Sequence, residues 1–235
     1  MINTYASLHC HTDYSNLRLI DSINKVESLI DYANEIGLAA VAITDHDSIS
    51  AHHRALKYFK KKYSNNERGF KLILGNEIYL AREGLTEALF EKGEPFFHLL
   101  LIAKDAIGHK QIRELSSRAW TRGFFRNIMR VFNYPSDLFE ILGADPGHIV
   151  ISTACLGGYT GRKFLEGDYE RIENFTQMLS DLVGHENFFI ELQPSDTEEQ
   201  INYNTYMMEH YWGRYPFIFT TDAHYLTADD QDIHR

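Results

Sequence analysis

The stretch Leu8-His9-Cys10-His11 closes the first apolar segment of the chain. Successive side chains of an extended strand point to opposite faces, so His9 and His11 share one face and Cys10 occupies the other. Two imidazoles on one side of a strand end form half of a metal site. The alternative is a pair of ordinary polar residues in a loop. The metal interpretation therefore requires further ligands from the rest of the chain.

The composition is that of a globular protein. The chain has 235 residues, 44% hydrophobic and 24% charged, and shows no internal repeat or low-complexity linker, which predicts a single domain over 1–235. No apolar run approaches the ~20 residues of a membrane span, so no membrane partner is expected. The two cysteines make a poor disulfide framework and the N-terminus lacks a signal pattern. Both features favour the cytoplasm.

The net charge limits the kind of nucleic-acid binding that the chain can support. With 23 basic and 33 acidic residues it carries a formal charge of −10, which argues against an autonomous, tight DNA binder. It does not exclude an active site for phosphate esters. Acidic ligands lower the formal sum, whereas the metal ions that they hold are not counted in it.

Seven apolar segments alternate with helical patterns along most of the chain. The predicted strands are 4–8, 38–44, 71–80, 96–103, 148–153, 188–192 and 216–221, and the predicted helices are 23–36, 50–63, 105–130, 135–142, 169–183 and 198–212. This alternation predicts an α/β fold with a largely parallel sheet, either a barrel or an open doubly wound sheet. A dinucleotide-binding sheet would normally carry a glycine fingerprint after strand one, where this chain has His9-Cys10-His11. We therefore expect a distorted seven-stranded (β/α)7 barrel with its site at the C-terminal rim of the strands.

Metal-competent side chains follow five of these strands. They are His9, His11 and Asp21 after strand one, His46 after strand two, Glu77 near the end of strand three, Cys155 after strand five, and Asp222 and His224 after strand seven. His98 lies instead at the start of strand four. It would reach the same rim if strand four runs antiparallel to strand three, or if a loop folds back over the rim.

These nine groups exceed what one ion can bind. A divalent ion takes about four to six ligands, so nine predict two or three ions. Imidazoles, carboxylates and a thiolate suit Zn, Mn or Fe better than Mg or Ca. Clustered ions of this kind activate water and bind phosphate, which indicates hydrolysis of a phosphate ester. Asp222, Glu77 and His11 are the candidate catalytic residues.

The set resembles the PHP (polymerase and histidinol phosphatase) superfamily. The motifs are His9-Cys10-His11, Thr44-Asp45-His46, Gly75-Asn76-Glu77, His98, 154–158 and 221–225, and the intervening sequence is most similar to the N-terminal PHP domain of the bacterial DNA polymerase III alpha subunit. The resemblance implies a distorted barrel with a trinuclear metal centre and a metal-dependent 3′→5′ exonuclease that proofreads during DNA replication. It also implies a single-stranded DNA 3′ end, polymerase domains and replisome subunits as partners. The chain has no room for a polymerase palm, so we expect either a domain of a longer polymerase or a stand-alone protein.

Two other functions remain open at this stage. One is a phosphomonoesterase of the histidinol-phosphatase type, and the other is a metal-stabilised module that docks onto a polymerase. The polymerase-like intervening sequence favours the exonuclease over the first, and the complete ligand set argues against the second.

Several residues outside the ligand set are candidates for lesser roles. An i, i+4 series of arginines interleaved with aromatic residues is a candidate for contact with a single strand: Arg118, Arg122, Arg126 and Arg130, with Trp120, Phe124 and Phe125. A charged outer helix face explains the series as well. Arg118 and Arg122 are the first candidates in it. Glu191 and Gln193 are candidates for orienting a ligand. His52 and His53 are expected to be solvated.

Overall fold

The structure is a computed structural model that describes residues 5–16, 22–90, 95–123 and 130–230. Within these ranges the chain forms one seven-stranded sheet. Its strands are β1 (Ala6–Ser7), β2 (Ala40–Ile43), β3 (Lys71–Leu80), β4 (Phe97–Ala103), β5 (Ile149–Ser152), β6 (Phe188–Leu192) and β7 (Phe217–Phe219). Every strand lies inside a predicted apolar segment, and the bounds of β3 and β6 are those predicted.

In the described parts of the chain, eight α-helices connect or flank the strands. They are α1 (Val26–Glu35), α2 (Ala51–Tyr63), α3 (Glu87–Phe90), α4 (Ala106–Arg122), α5 (Pro135–Ala144), α6 (Tyr159–Leu165), α7 (Tyr169–Val183) and α8 (Glu198–Tyr211), with short 3-10 turns at Asp13–Ser15, His185–Asn187 and Ala228–Asp230. The sequence did not indicate α3 and α6. None of the helices in the described ranges is long and apolar enough to cross a lipid bilayer.

The strands follow one another in chain order, but they do not all run the same way. β1, β2 and β3 are parallel, and so are β5, β6 and β7. β4 is antiparallel to both of its neighbours, and Tyr79 of β3 pairs with His98 of β4. The start of β4 therefore lies at the edge where the other strands end. The antiparallel arrangement considered for strand four is confirmed.

The two outer strands meet at the same edge and curl the sheet into a barrel. The His11 amide donates to the carbonyl of Ala223 (2.9 Å), and the Ala223 amide donates to the carbonyl of His9 (3.1 Å). These bonds join the segments that follow β1 and β7. The predicted distorted seven-stranded barrel, a TIM-like α/β fold, is confirmed.

Alternation along the strands separates the core from the site. On β4, Leu99 and Leu101 point outward into the main apolar cluster beneath α4, α5 and α7. Leu100 and Ile102 face the opposite way and pack in the interior of the barrel. A second outer cluster lies beneath α1 and α2 and includes Cys10. Cys10 thus points away from His9 and His11, as the alternation of strand one predicts.

Candidate metal centre

Five imidazoles converge at the rim of the barrel. His9 and His11 follow β1, His46 follows β2, His98 opens β4 and His224 follows β7. The ring of His11 lies 4.5 Å from that of His46 and stacks on that of His224 at 4.3 Å. His46 and His98 meet edge to face at 4.9 Å. The barrel therefore brings together every histidine that the sequence assigned to the site.

Glu77 stands at the centre of this group and is fully buried. Its Oε2 atom lies 3.2 Å from Nε2 of both His9 and His11 and 3.0 Å from Nδ1 of His46. Its Oε1 atom lies 3.0 Å from Nδ1 of His98. One carboxylate thus contacts four imidazoles, as expected of a bridging position.

Asp222 supplies the second carboxylate from the segment after β7. Its Oδ1 atom lies 3.3 Å from Nε2 of His9 and 3.1 Å from Nε2 of His11. Its side chain is 20% exposed and that of His98 is 22% exposed, whereas His9, His11 and Glu77 are closed to solvent. The centre therefore opens to solvent on the side of Asp222 and His98.

Several buried atoms at this centre contact only one another and make no hydrogen bond to any described residue. They are Nε2 of His9 and of His11, both carboxylate oxygens of Glu77, and Oδ1 of Asp222. Burial of such atoms without partners is costly. Three overlapping groups of ligand atoms each lie within 4.8 Å: His9, His11, Glu77 and Asp222; His46, Glu77 and His98; and His11, His46 and His224. Donor type, burial and spacing all fit divalent metal ions.

The two remaining predicted ligands differ in what the structure says about them. Sγ of Cys155 lies 3.4 Å from Nδ1 of His98, at the edge of the cluster but outside the three groups above. Asp21 falls outside the described residues. Its assignment stays a prediction.

The electrostatics of the cluster centre on its two carboxylates. Burial alone would raise the pKa of Glu77, but His46, His9 and His98 hold it well below the usual range. Burial likewise opposes ionisation of Asp222, yet His9 and His11 lower its pKa. In return the carboxylates raise the pKa of His11 to about 9 against the effect of its burial. Both carboxylates are thus stabilised as anions by adjacent positive charge, which is also what bound cations provide.

A second layer of polar groups holds two of the imidazoles in place. Nδ1 of His9 lies 2.7 Å from the buried carboxylate of Glu191, which also accepts from Ser152, Thr220 and Gln193. In its neutral, metal-binding form His9 donates its Nδ1 proton to Glu191 and directs the lone pair of Nε2 toward the cluster. This contact agrees with the orienting role considered for Glu191.

The second such contact was not foreseen from sequence. Nδ1 of His11 lies 3.0 Å from Oγ of Ser15, which in turn donates to Asp45 at 2.9 Å. Asp45 is part of the Thr44-Asp45-His46 motif, and its position next to His46 was the available signal. The hydroxyl link to His11 depends on a 3-10 turn that no periodicity indicates.

Strained backbone marks three of the rim segments. Asp47, Ala154 and Asp222 have φ values of 57°, 58° and 50°, and they are the non-glycine residues with positive φ in the described ranges. Each follows a different strand end, and each adjoins or is a predicted ligand. Left-handed conformations of this kind persist where the surroundings enforce them, often at functional sites.

Arg118 and Arg122 do not face the centre. Arg118 forms ion pairs with Glu140 (2.7 Å) and Asp137 (3.3 Å), and Arg122 contacts Asp137 (2.9 Å) and stacks over Tyr134. These contacts join α4 to α5 and match the alternative interpretation of a charged outer face. Contact of either residue with DNA stays a prediction.

The comparisons with known proteins agree with this geometry. A family profile described as the PHP domain matches residues 7–195. The DNA-directed DNA polymerase of Bacillus phage SPbeta is 40% identical over 97% of the chain, and the DNA polymerase III subunit alpha of Thermus aquaticus is 30% identical over 98% of it. The chain spans only 19% and 18% of the length of these relatives.

Solved structures support the fold. An amidohydrolase from Chromobacterium violaceum superposes with a TM-score of 0.52 over 93% of this chain and 87% of its own, at 14% identity. A protein of Bifidobacterium adolescentis, provisionally assigned as a metal-dependent phosphoesterase, gives 0.51 over 94% and 87%, at 15% identity. The rim cluster and the profile match over most of the chain lead to one conclusion: this chain belongs to the PHP domain family.

Proposed function

We propose that the chain is a metal-dependent phosphodiester hydrolase that removes nucleotides from the 3′ end of DNA. The observation that carries this proposal is the buried cluster of five imidazoles and two carboxylates, whose ligand atoms converge in three overlapping groups, each within 4.8 Å. A structural metal site would be closed on all sides, whereas this one opens beside Asp222 and His98.

The donor set suits two or three ions of Zn, Mn or Fe. The ligands are His9, His11, His46, Glu77, His98, Asp222 and His224, with Asp21 and Cys155 completing the nine. When bound, such ions supply Lewis acidity, activating water for in-line attack on a phosphoester and neutralising the developing charge.

The residues of the chain prepare the site for that chemistry. Glu77 and Asp222 both contact His9 and His11, so each carboxylate would hold ions together with these imidazoles. Asp222 stands on the open side, next to where a substrate enters. His11 lies between the two carboxylates with Nε2 directed at both. We assign Asp222, Glu77 and His11 as the catalytic residues.

The relatives support a biological setting in DNA replication. The curated relatives named above are DNA polymerases of which this chain spans about a fifth. We propose that the domain acts beside polymerase domains or replisome subunits and shortens a single-stranded 3′ end in proofreading. Its charge of −10 predicts a weak, salt-sensitive grip on DNA by the domain alone.

The test combines metal analysis with a nuclease assay. Elemental analysis of undialysed protein should give at least two equivalents of Zn, Mn or Fe. The Mn-loaded protein should shorten a 5′-labelled single strand stepwise from its 3′ end and release nucleoside monophosphates. Asp222→Asn should reduce the rate at least about a hundredfold. Replacement of the exposed Asp229, seven residues further along the chain, by Asn should leave the rate unchanged.

Two results would overturn the proposal. Less than about half an equivalent of metal after reconstitution would remove the basis for hydrolysis. An intact labelled strand together with rapid hydrolysis of histidinol phosphate would make the chain a phosphomonoesterase instead.

A further inference from the structure

A single residue next to the metal centre anchors two side chains that come from elsewhere in the chain. Asp47 directly follows His46, is buried, and has a left-handed backbone with φ of 57°. Its amide donates to the carbonyl of Glu77 (3.1 Å), which fixes it beside the centre. Any side chain that contacts Asp47 is therefore held next to His46 and Glu77.

Trp120 is the first of these groups. Its indole N–H donates to the carbonyl of Asp47 at 2.9 Å, and the side chain is nevertheless 42% exposed. The direction of α4 explains this placement. Because β4 runs away from the rim, α4 returns toward it, and Trp120 lies in the last turn of that helix. The indole is fixed at its polar edge while much of its surface faces solvent.

Arg130 is the second group. Its guanidinium contacts the Asp47 carboxylate at 3.3 Å and lies over the ring of Tyr79 at 5.2 Å. The Tyr79 ring in turn meets the imidazole of His98 edge to face at 4.8 Å. One aromatic ring thus separates a positive charge from the open side of the metal centre.

We propose that Trp120 is the base-stacking residue for the DNA strand that enters the site, and that Arg130, whose side chain is 13% exposed, adds to the positive potential on that side of the rim. An exposed indole held rigidly by its N–H presents a flat surface to a nucleobase, and stacking of this kind is tolerant of sequence. A cation next to such a platform suits the adjoining phosphate. This inference rests on the proposed function and specifies its substrate as a polynucleotide.

The chain contains a matched control for Trp120. Its other tryptophan, Trp212, is 65% exposed at the end of α8 and packs against Phe217. Trp212→Ala removes an exposed indole without touching the rim. Trp120→Phe keeps an aromatic ring at the site but loses the hydrogen bond to Asp47.

The experiment measures binding of a 5′-fluorescein octathymidylate with hydrolysis-resistant phosphorothioate linkages to the protein as purified. Trp120→Ala should raise the dissociation constant about tenfold. Trp120→Phe should recover most of the affinity, and Trp212→Ala should match the parent protein. In a Trp212→Phe background, where Trp120 is the sole tryptophan, the oligonucleotide should quench the indole fluorescence.

An abasic strand separates stacking from a structural role. If Trp120 stacks on a base, Trp120→Ala and the parent protein should bind the abasic strand equally weakly. If Trp120 only supports the loop at Asp47, the variant should weaken binding of both strands by the same factor, which overturns the proposal. Unchanged binding of the normal strand by Trp120→Ala overturns it as well.

The role of Arg130 needs a different experiment, because replacing Arg130 alone leaves the buried Asp47 carboxylate without its ion pair. Arg130→Gln is therefore compared with Arg130→Lys, both in an Asp47→Asn background. The lysine variant should bind the normal strand more tightly than the glutamine variant, with a steeper dependence on salt. Equal affinity and salt dependence would exclude Arg130 from the strand contact.

The outcomes also separate this inference from the proposed function. Strand binding that depends on Trp120, without cleavage of any metal-loaded substrate, would retain the inference and reject hydrolysis. Hydrolysis of a small phosphomonoester without detectable strand binding would reject both.

Discussion

At the residue scale, the geometry of the site depends on groups that do not face its centre. His9 reaches Glu77 and Asp222 through Nε2 because its Nδ1 atom is held by Glu191. Glu191 is fully buried, and its carboxylate also accepts hydrogen bonds from hydroxyls of β5 and of the segment after β7 and from an amide of the segment after β6. One carboxylate thus sets the orientation of an imidazole and ties three parts of the rim together.

Replacing Glu191 tests this role. Glu191→Gln keeps the shape of the side chain but weakens the contact with His9, so we expect metal affinity to fall about 10- to 100-fold. Competition between the protein and a chromophoric chelator for Mn²⁺ would measure the change. The exposed Glu198→Gln is the matched control and should not alter affinity. Equal affinities in the two variants would show that Glu191 only fills space.

The ligands could be found from sequence because each lies next to a recognisable apolar strand.

The prediction that His52 is solvated is wrong. His52 is buried, and one of its ring nitrogens lies 2.8 Å from the carbonyl of Gly75 while the other lies 3.1 Å from Nε2 of His109. Burial lowers the pKa of His52 to about 4. Helix α2 has a basic outer face, and His52 lies on its opposite, apolar face with Ala55, Phe59 and Tyr63. The spacing of these residues was the available signal for its burial. The contacts of Asp47 with Trp120 and Arg130 join segments that are far apart in the sequence, so no local sequence pattern predicts them.

At the element scale, the reversed strand β4 organises one half of the rim. It brings His98 to the site at its start and sends α4 back toward the same edge. The sequence did not determine the direction of β4, because an apolar run has the same composition in either direction.

Helix α6 was not predicted for a different reason. It has seven residues, Tyr159–Leu165, and is too short to establish a helical period.

Packing of α4 against the sheet depends on a glycine in its first turn. A Cβ atom at Gly108 would lie 2.0 Å from the carbonyl oxygen of His148, which is backbone and cannot move aside easily. Gly108→Ala should therefore lower the free energy of unfolding by about 1–3 kcal/mol, the usual cost of overpacking. Urea denaturation would measure it.

The helical control is Gly143 in α5. A Cβ atom there would meet only Leu182, at an ordinary contact distance of 3.8 Å. Gly143→Ala should stabilise the protein by about 0.5–1 kcal/mol because alanine is the better helix former. If both variants shift stability in the same direction, the close approach of α4 to the start of β5 is not what constrains position 108.

At the scale of the whole molecule, the metal centre and the closure of the barrel involve the same segments. His9 and His11 follow β1, Asp222 follows β7, and backbone hydrogen bonds between these two segments close the sheet. Glu77 and His98 come from β3 and β4 on the far side of the rim. Sequence predicted this convergence because strand ends of a barrel collect at one rim. It could not predict the hydrogen bonds that join the two outer strands.

Metal removal should consequently destabilise the whole domain. Ions that bind only the folded chain stabilise it by mass action, by about 2.7 kcal/mol when free metal is a hundredfold above its dissociation constant. For a domain of this size each kcal/mol corresponds to roughly 2–4 °C in Tm. Chelation should therefore lower the Tm by about 5 °C or more, and added Mn²⁺ or Zn²⁺ should restore it. Differential scanning calorimetry gives both values.

A variant that cannot bind the ions separates this effect from nonspecific action of the chelator. Glu77→Gln removes the carboxylate that contacts four imidazoles, so its Tm should respond little to chelator or to added metal. Asp229→Asn should respond as the parent protein does. A parent Tm that chelation leaves unchanged would contradict a buried multinuclear centre, because ligands drawn from opposite sides of the barrel cannot bind ions without stabilising its closed form.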